Sequence, residues 1–414
     1  MKKIAKPVNT NLIGLDKLIQ DAFGEKKQGL GLSNAEDIYS VLTNDELSRS
    51  YELVRLLTDS KKLNFIIKLS RLFGFSPNVQ EKLLKRSNLA NLYGGATLLK
   101  AQRKVDYLHE LGIYSILQYH AKSLQSETDF NNSMNNTINA IAHAATQEKI
   151  PMVSVKISGL VRQGYLEFLQ SGNGLNISNW REYRNLLKRL DSICYTAATK
   201  NIKVVFAAEE SQQQGMVDHL VTLMMKRYNK QEVIVYQTIQ FYRKDGLQFL
   251  MDAQEKAIRQ HYKIGVQLVK GGYRTQEIEE AAKMGYSSPL LSSKAAVDDA
   301  FNMALKFCLE NFDNIAIIHA SHAISDIRIA VDEVMKRKIP IDHPHFLFSQ
   351  MLGLGDAITY RLARLGFFVT KQIPYGDITA SVTSALAKSD IGTDSSTREE
   401  HRVLSEEMVR RKLL

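Results

Sequence analysis

The stretch "VQLVKGGYRTQE" (residues 266–277) begins as an apolar run and then meets Lys270, two glycines and Tyr273. A short apolar run closed by glycine reads as a buried strand, with the polar residues at its carboxyl end. A lysine there is most often a solvated surface charge. The Gly271-Gly272 pair changes the balance, because glycines let backbone amides approach a ligand closely. Two free N–H groups beside a cation suit a phosphate or an electron-rich ring.

The same pattern recurs seven more times: "YSILQY" (114–119), "MVSVKIS" (152–158), "KVVFAA" (203–208), "VIVYQT" (233–238), "IAIIHAS" (315–321), "HFLFSQ" (345–350) and "FFVTKQIP" (367–374). Helical stretches such as "WREYRNLLKRLDSICYTAATK" separate these runs, as parallel βαβ units require. Eight strand–helix repeats over some three hundred residues close most simply into an α/β fold of the TIM type, a (β/α)8 barrel. A doubly wound open sheet is the alternative. Ahead of the barrel, apolar residues at three- and four-residue spacing from Ser33 to about Leu89 predict helices, one of them starting near Asn44. The expected organisation is an N-terminal helical region over 1–92 and the barrel over 93–414, the helices packing against the barrel and shielding its mouth.

A barrel places its functional groups at the carboxyl ends of the strands. That rule would bring Gln118 and His120, Lys156, Glu209 and Glu210, Gln237 and Gln240, Lys270, His319 with Ser321 and His322, Gln350, and Lys371 to Tyr375 to a single mouth. Lys156, in "VSVKISGL", needs a partner if buried, and Glu209 at the next strand end is the natural one. A purely structural salt bridge is the alternative reading of that pair. The histidines His120, His319, His322, His343 and His345 raise the possibility of a metal-dependent hydrolase. No HxH closes the first strand and no carboxylate–histidine set has tight ligand spacing, so no metal site is expected. His343 and His345 read as loop and strand-packing residues.

Composition bounds the rest. Of 414 residues, 44% are hydrophobic and 24% charged, with seven prolines, which fits a folded chain without long disordered linkers. The formal net charge is +10, but the basic residues are spread over helices instead of gathered in a block with aromatics, which argues against nucleic-acid binding. Anionic cofactors or a membrane surface are better matches. Cys194 and Cys308 stand far apart, as in a reducing compartment. The N-terminus lacks the apolar segment of a signal peptide, and no run of eighteen apolar residues occurs. A cytoplasmic protein is expected, with peripheral contact to the inner membrane compatible with that.

Taken together, "VKISGL", "AAEES", "VYQTIQFYRKDGLQFL", "VQLVKGGYRTQE", "HASH", "FSQMLGLGD" and "KQIPYGD" resemble the strand-end motifs of the proline dehydrogenase family, in order and spacing, from about Tyr93 onward. The resemblance implies an FAD-dependent (β/α)8 oxidoreductase. It places Gln240 beneath the isoalloxazine and Lys270, Gly271 and Gly272 along the cofactor, with Tyr273 holding the loop beyond. Ser293 and Lys294 would lie at the pyrophosphate and adenylate, and His322 and Gln350 against the flavin. On the substrate side it implies Lys156, Glu209 and Tyr375, with Lys388 meeting a carboxylate. The implied reaction is hydride transfer from the carbon beside a secondary amine to flavin, proline giving 1-pyrroline-5-carboxylate, with a quinone-type acceptor.

Several family positions differ. The family's Asp-Ala-Glu is Ala207-Ala208-Glu209, its first-strand aspartate is Gln118, the basic residue before the lysine is Gln267, and its His-Asn pair is His322-Ala323. Its paired arginines fall on Ala387 and Lys388, or on Lys388 and Ser389. Charge-assisted hydrogen bonds contribute roughly 1.5–3 kcal/mol each, so losing two would weaken carboxylate binding by about 3–6 kcal/mol. Lys388, a point charge without a bidentate fork, restores part of that. Two further readings follow: a non-catalytic barrel acting as a binding protein, and an oxidoreductase for an amine without a carboxylate.

Overall fold

The structure, a computed structural model, describes residues 35–59, 82, 84–122, 124–172, 174, 176–388 and 395–414. Eight parallel strands pair in chain order and close: β1 (Tyr114–His120), β2 (Met152–Val155), β3 (Lys203–Phe206), β4 (Val235–Gln240), β5 (Ile264–Val269), β6 (Ile315–His319), β7 (Phe346–Met351) and β8 (Val369–Gly376). β8 returns to β1 in a ladder running from Tyr114 opposite Thr370 to His120 opposite Gly376. All eight expected strands are present, and the sheet is a closed barrel.

Strand side chains alternate between two faces. Ile116, Met152, Val205, Tyr236, Ala316, Ile318 and Leu347 form one buried cluster that plugs the barrel interior. Their neighbours Leu117, Val153, Val204, Val235, Val266, Ile317 and Phe348 belong to the larger cluster under the surrounding helices. Gly265 makes room for the plug, since a Cβ there would lie 2.7 Å from the Tyr236 ring and 2.6 Å from the Val235 carbonyl oxygen.

The same alternation corrects the expectation that all the strand-end polar residues face one mouth. His319 lies on the outer face, fully buried between Phe301 and Phe348 with ring centroids 5.1 and 5.5 Å away. Burial, reinforced by the Lys270 charge, pushes its pKa down to about 3, so it is a neutral core residue. Gln237 also points outward and donates to Asp218 Oδ1 at 2.6 Å. Lys371, 1% exposed, reaches Asp356 Oδ1 at 2.6 Å and the carbonyls of Met351 and Leu354. His343 and His345 pack tilted or edge-on around Phe312 next to the amino end of β7.

The N-terminal helix starts at Asn44, as expected, and runs to Thr58; Thr43 caps it, exchanging the two bonds of a capping box with Glu46. The remainder of the helical reading, over 60–81, falls outside the described residues. The helix shares the barrel's core through Leu47, Tyr51 and Val54. Leu53 and Leu57 join Leu89, Leu92, Leu354, Ile378 and Val382 in a cluster on the mouth side. A C-terminal helix, Ser395–Arg410, packs on it; His401 stacks on Tyr51 at 5.3 Å, and the Arg411 guanidinium donates to the carbonyls of Tyr39 and Leu42, both at 2.7 Å.

Candidate active site

Above the apolar plug, the carboxyl ends of the strands open into a cavity of about 610 Å³, within the usual range of small-molecule sites, roughly 300–1,000 Å³. Its floor continues the inward-facing parity with Ser154, Thr238, Gln267, Ser349 and Gln372, all neutral hydrogen-bonding groups. Gln240, Lys270, Gly271, Gly272, Lys294, His322 and Gln350 all line it.

Gln240 is 2% exposed. Its Nε2 donates to the Tyr242 hydroxyl at 3.2 Å, and Tyr242 donates to Glu277 Oε1 at 2.6 Å. Burial and the Glu277 charge hold the phenol well above its ordinary pKa, so it remains a donor. Glu277 also takes the Ser211 amide and hydroxyl. This relay fixes the amide orientation and leaves Gln240 Oε1 buried without a partner, as is the Thr238 hydroxyl on the floor. Tyr242 also explains Gly271: φ is 156°, and a Cβ would sit 2.5 Å from the tyrosine ring. That glycine is therefore required by packing as well as available to a ligand.

Lys270 lies between two carboxylates, Asp298 and Asp326, the latter at 2.9 Å. Burial alone would lower its pKa, but Asp326 and Asp298 raise it above the ordinary lysine value. Asp298 is shared with Lys294 at 2.8 Å, and Ser321 donates to Asp326 at 2.5 Å. Lys270 is thus a neutralised member of a network and not an isolated positive charge. Ser293 caps the helix Lys294–Glu310, accepting from the Ala296 amide at 3.1 Å.

His322 accepts the Met351 amide at Nε2, 3.1 Å away. That bond requires a lone pair on Nε2, so the ring is the neutral Nδ1–H tautomer. Gln350 donates to the Ser321 carbonyl at 3.2 Å and accepts from Thr359 Oγ1 at 3.0 Å. Gly355 (φ 62°) packs between them; a Cβ there would approach His322 Cδ2 to 3.1 Å.

Lys156 and Glu209 pair at 3.1 Å, with Glu209 3% exposed and also accepting the Ser158 amide at 3.2 Å. Burial would lower the lysine pKa; Glu209 and Tyr273 raise it, so it stays charged. The pair stands just behind the cavity wall, the ammonium 6.0 Å from the ring centroid of Tyr273, which does line the cavity. Tyr375 is not on this cavity. It follows the outward parity of β8 and lines a separate cleft of about 430 Å³ with Tyr119, Lys122 and Asp377. Lys388 ends the helix Ile378–Lys388, and its side chain lies outside the described residues.

Reading the strand ends alone missed five residues. Asp298 and Asp326 come from helices, where their spacing from Lys270 leaves no local signal. Arg274 lines the cavity beside Lys294 and donates to the Leu291 carbonyl at 3.2 Å. Thr397 and Glu400 reach the cavity from the C-terminal helix. Among the described residues, no group of three or more His, Cys, Asp or Glu is placed to hold a metal ion.

A family model described as Proline dehydrogenase matches residues 101–383. The chain is 27% identical to the carbapenem antibiotics biosynthesis protein CarD of Pectobacterium carotovorum subsp. carotovorum, over 77% of this chain and 83% of that protein. It is 30% identical to the mitochondrial proline dehydrogenase 1 of Drosophila melanogaster, over 55% of this chain and 35% of the fly protein. In fold it is similar to proline utilization A from Bdellovibrio bacteriovorus inactivated by N-propargylglycine (TM-score 0.66, 17% identity), across 95% of this chain and 43% of that one. The chain thus spans less than half the length of the fly enzyme and of the utilization protein.

Proposed function

The chain belongs to the proline dehydrogenase family, and from that premise we propose that it is an FAD-dependent oxidoreductase oxidising proline or a related secondary amine to an imine. The reading is carried by one observation: seven side chains or glycines that the family resemblance gives to the cofactor line a single cavity with a neutral floor. The residues present suit such a cofactor. Gln240 Oε1 is a buried acceptor lacking a donor, and the corner of Lys270, Arg274 and Lys294, which keeps one positive charge in excess over Asp298 and Asp326, suits a pyrophosphate. When bound, FAD supplies the two-electron acceptor, and a quinone-type molecule would reoxidise it.

The protein's own residues orient and exclude. Gln240, locked by Tyr242 and Glu277, presents its carbonyl oxygen at a fixed point. Neutral His322 and Gln350, braced by the β7 loop, define the opposite wall. Lys156 and Glu209 set the polarity behind Tyr273 without placing a net charge there. An amine substrate must give up its proton before hydride loss, and a floor of neutral groups favours the uncharged amine over the ammonium. Peripheral attachment to a membrane that holds the acceptor is compatible with the molecule, and none of the described helices is long and apolar enough to cross one.

A second reading is favoured by the neutral floor and by the neutral residue, Ala387 or Ser389, that stands where the family resemblance has a carboxylate-gripping arginine: the substrate is an amine without a carboxylate. The likeness to a protein of carbapenem biosynthesis also supports a substrate range wider than proline. Purified protein should carry a yellow flavin absorbance, or acquire it with added FAD, and anaerobic proline should bleach it. Bleaching only by amines lacking a carboxylate would select the second reading. A protein that takes up no FAD would overturn both and leave the binding-protein alternative.

A further inference from the structure

The geometry points to Glu400 as a positioning residue of the flavin site: the C-terminal helix uses its carboxylate to hold the β7 loop on which His322 and Gln350 rest. This inference rests on the flavin reading for its functional consequence, though not for its structural one. Glu400 is 6% exposed and lines the cavity. Its two oxygens accept three successive backbone amides, those of Gly355 (3.0 Å), Asp356 (2.6 Å) and Ala357 (3.3 Å), at the start of the helix Asp356–Arg364. No side chain of that helix's own N-cap does this work, because the cap is Gly355. A carboxylate supplied from about 45 residues downstream in sequence takes its place.

What the clamp holds is the wall of the site. Gly355 packs against His322 and Gln350. Thr359, in the same first turns, donates to Gln350. The Met351 amide that fixes the His322 tautomer lies at the other end of the same five-residue loop. The loop's carbonyls at Met351 and Leu354 are gripped from beneath by Lys371, itself paired with Asp356. Without Glu400 the three amides of Gly355, Asp356 and Ala357 lose this acceptor, and the loop keeps its bonds to Lys371, His322, Gln372 and Thr359 and its internal Leu354–Met351 bond.

Protonation supplies a readout that a merely structural role would lack. Burial, then the neighbouring Asp356 charge, raises the Glu400 pKa to about 7, while Lys371 and the backbone amides of Ala357 and Gly355 oppose the rise. The groups facing it are Asp356 and Tyr360 from the helix it caps, Lys371 from β8, and Tyr39 from the N-terminal helix Ala35–Tyr39. A protonated carboxyl presents a donor where an amide needs an acceptor, so the clamp is complete only when Glu400 is ionised.

The test compares wild type, Glu400→Gln and Glu400→Ala. In the full-length protein without added flavin, hydrogen exchange at the Met351–Ala357 amides should quicken at least tenfold in both variants, with circular dichroism and the exchange of β1–β4 unchanged. FAD titrated by flavin fluorescence quenching should bind wild type more tightly at pH 8 than at pH 6. Glu400→Gln should bind at least tenfold more weakly than wild type at pH 8 and lose that pH difference. Unchanged exchange at Met351–Ala357 in Glu400→Gln overturns the inference, even if Glu400→Ala fails to fold. Quickened exchange with no FAD binding in wild type leaves Glu400's hold on the loop intact and sinks the flavin reading instead. Equal FAD affinity and pH dependence in wild type and Glu400→Gln removes its role in the site.

Discussion

At the residue scale, two ionisable groups, the buried His319 and the half-buried Lys156, carry opposite consequences. His319 has a folded-state pKa of about 3 against about 6.5 for an unfolded histidine. A depressed histidine pKa means the unfolded chain binds the extra proton, so stability is full above pH 6.5 and falls as pH drops from there toward 3. His319→Leu, which keeps an apolar filler between Phe301 and Phe348, should therefore flatten the loss of melting temperature between pH 7 and pH 5. Lys156 has the reverse logic, since its value lies in partnering Glu209. Lys156→Met strands a carboxylate that is 3% exposed, and should cost stability near the low end of about 3–5 kcal/mol, because the lysine itself keeps some water. Adding Glu209→Gln should recover part of that loss in denaturant titrations. The lysine–glutamate pairing was legible from their places at adjacent strand ends. The fate of His319 was legible only as an odd or even position, because a histidine at a strand end reads the same whether it faces a mouth or a helix.

At the scale of elements, strand existence was plain because each run is apolar, short and followed by a helical period. Ends were less plain: "MVSVKIS" stops as a strand at Val155 and turns into a short 3₁₀ helix, Ile157–Leu160. "VIVYQT" starts two residues late and runs to Gln240, an extension that a purely apolar criterion passes over. β5 contains the clearest steric requirement. Gly265→Val would drive methyl groups into the Tyr236 ring, and overpacking of a closed plug costs typically about 1–3 kcal/mol. The expected result is a lower urea midpoint with an unchanged slope, and Tyr236→Ala in the same chain should not restore it, because the Val235 carbonyl oxygen would still lie 2.6 Å from the added Cβ. Full rescue by that second change would mean the tyrosine ring is the real obstacle.

At the scale of the whole molecule, the N-terminal and C-terminal helices are not an annexe to the barrel. Leu47, Tyr51 and Val54 on one, with Val403, Leu404 and Met408 on the other, are part of the same buried cluster as the strands. Sequence periodicity finds such helices but cannot dock them, because docking is decided by distant partners such as Arg411 with the carbonyls of Tyr39 and Leu42. For the same reason Glu400 had no signature: its partners are backbone amides, and backbone amides are spelled by every residue alike. Lys270, Gly271 and Gly272, just past the end of β5, were by contrast visible because their chemistry is carried by residue type.

The amides that Glu400 grips belong to residues 355–357, yet the carboxylate itself is encoded some forty positions later. During synthesis, all eight strands therefore leave the ribosome before the group that trims the rim of their common opening. A nascent barrel can close early, but the amides of Gly355, Asp356 and Ala357 must wait for Glu400 before they gain its carboxylate as their acceptor.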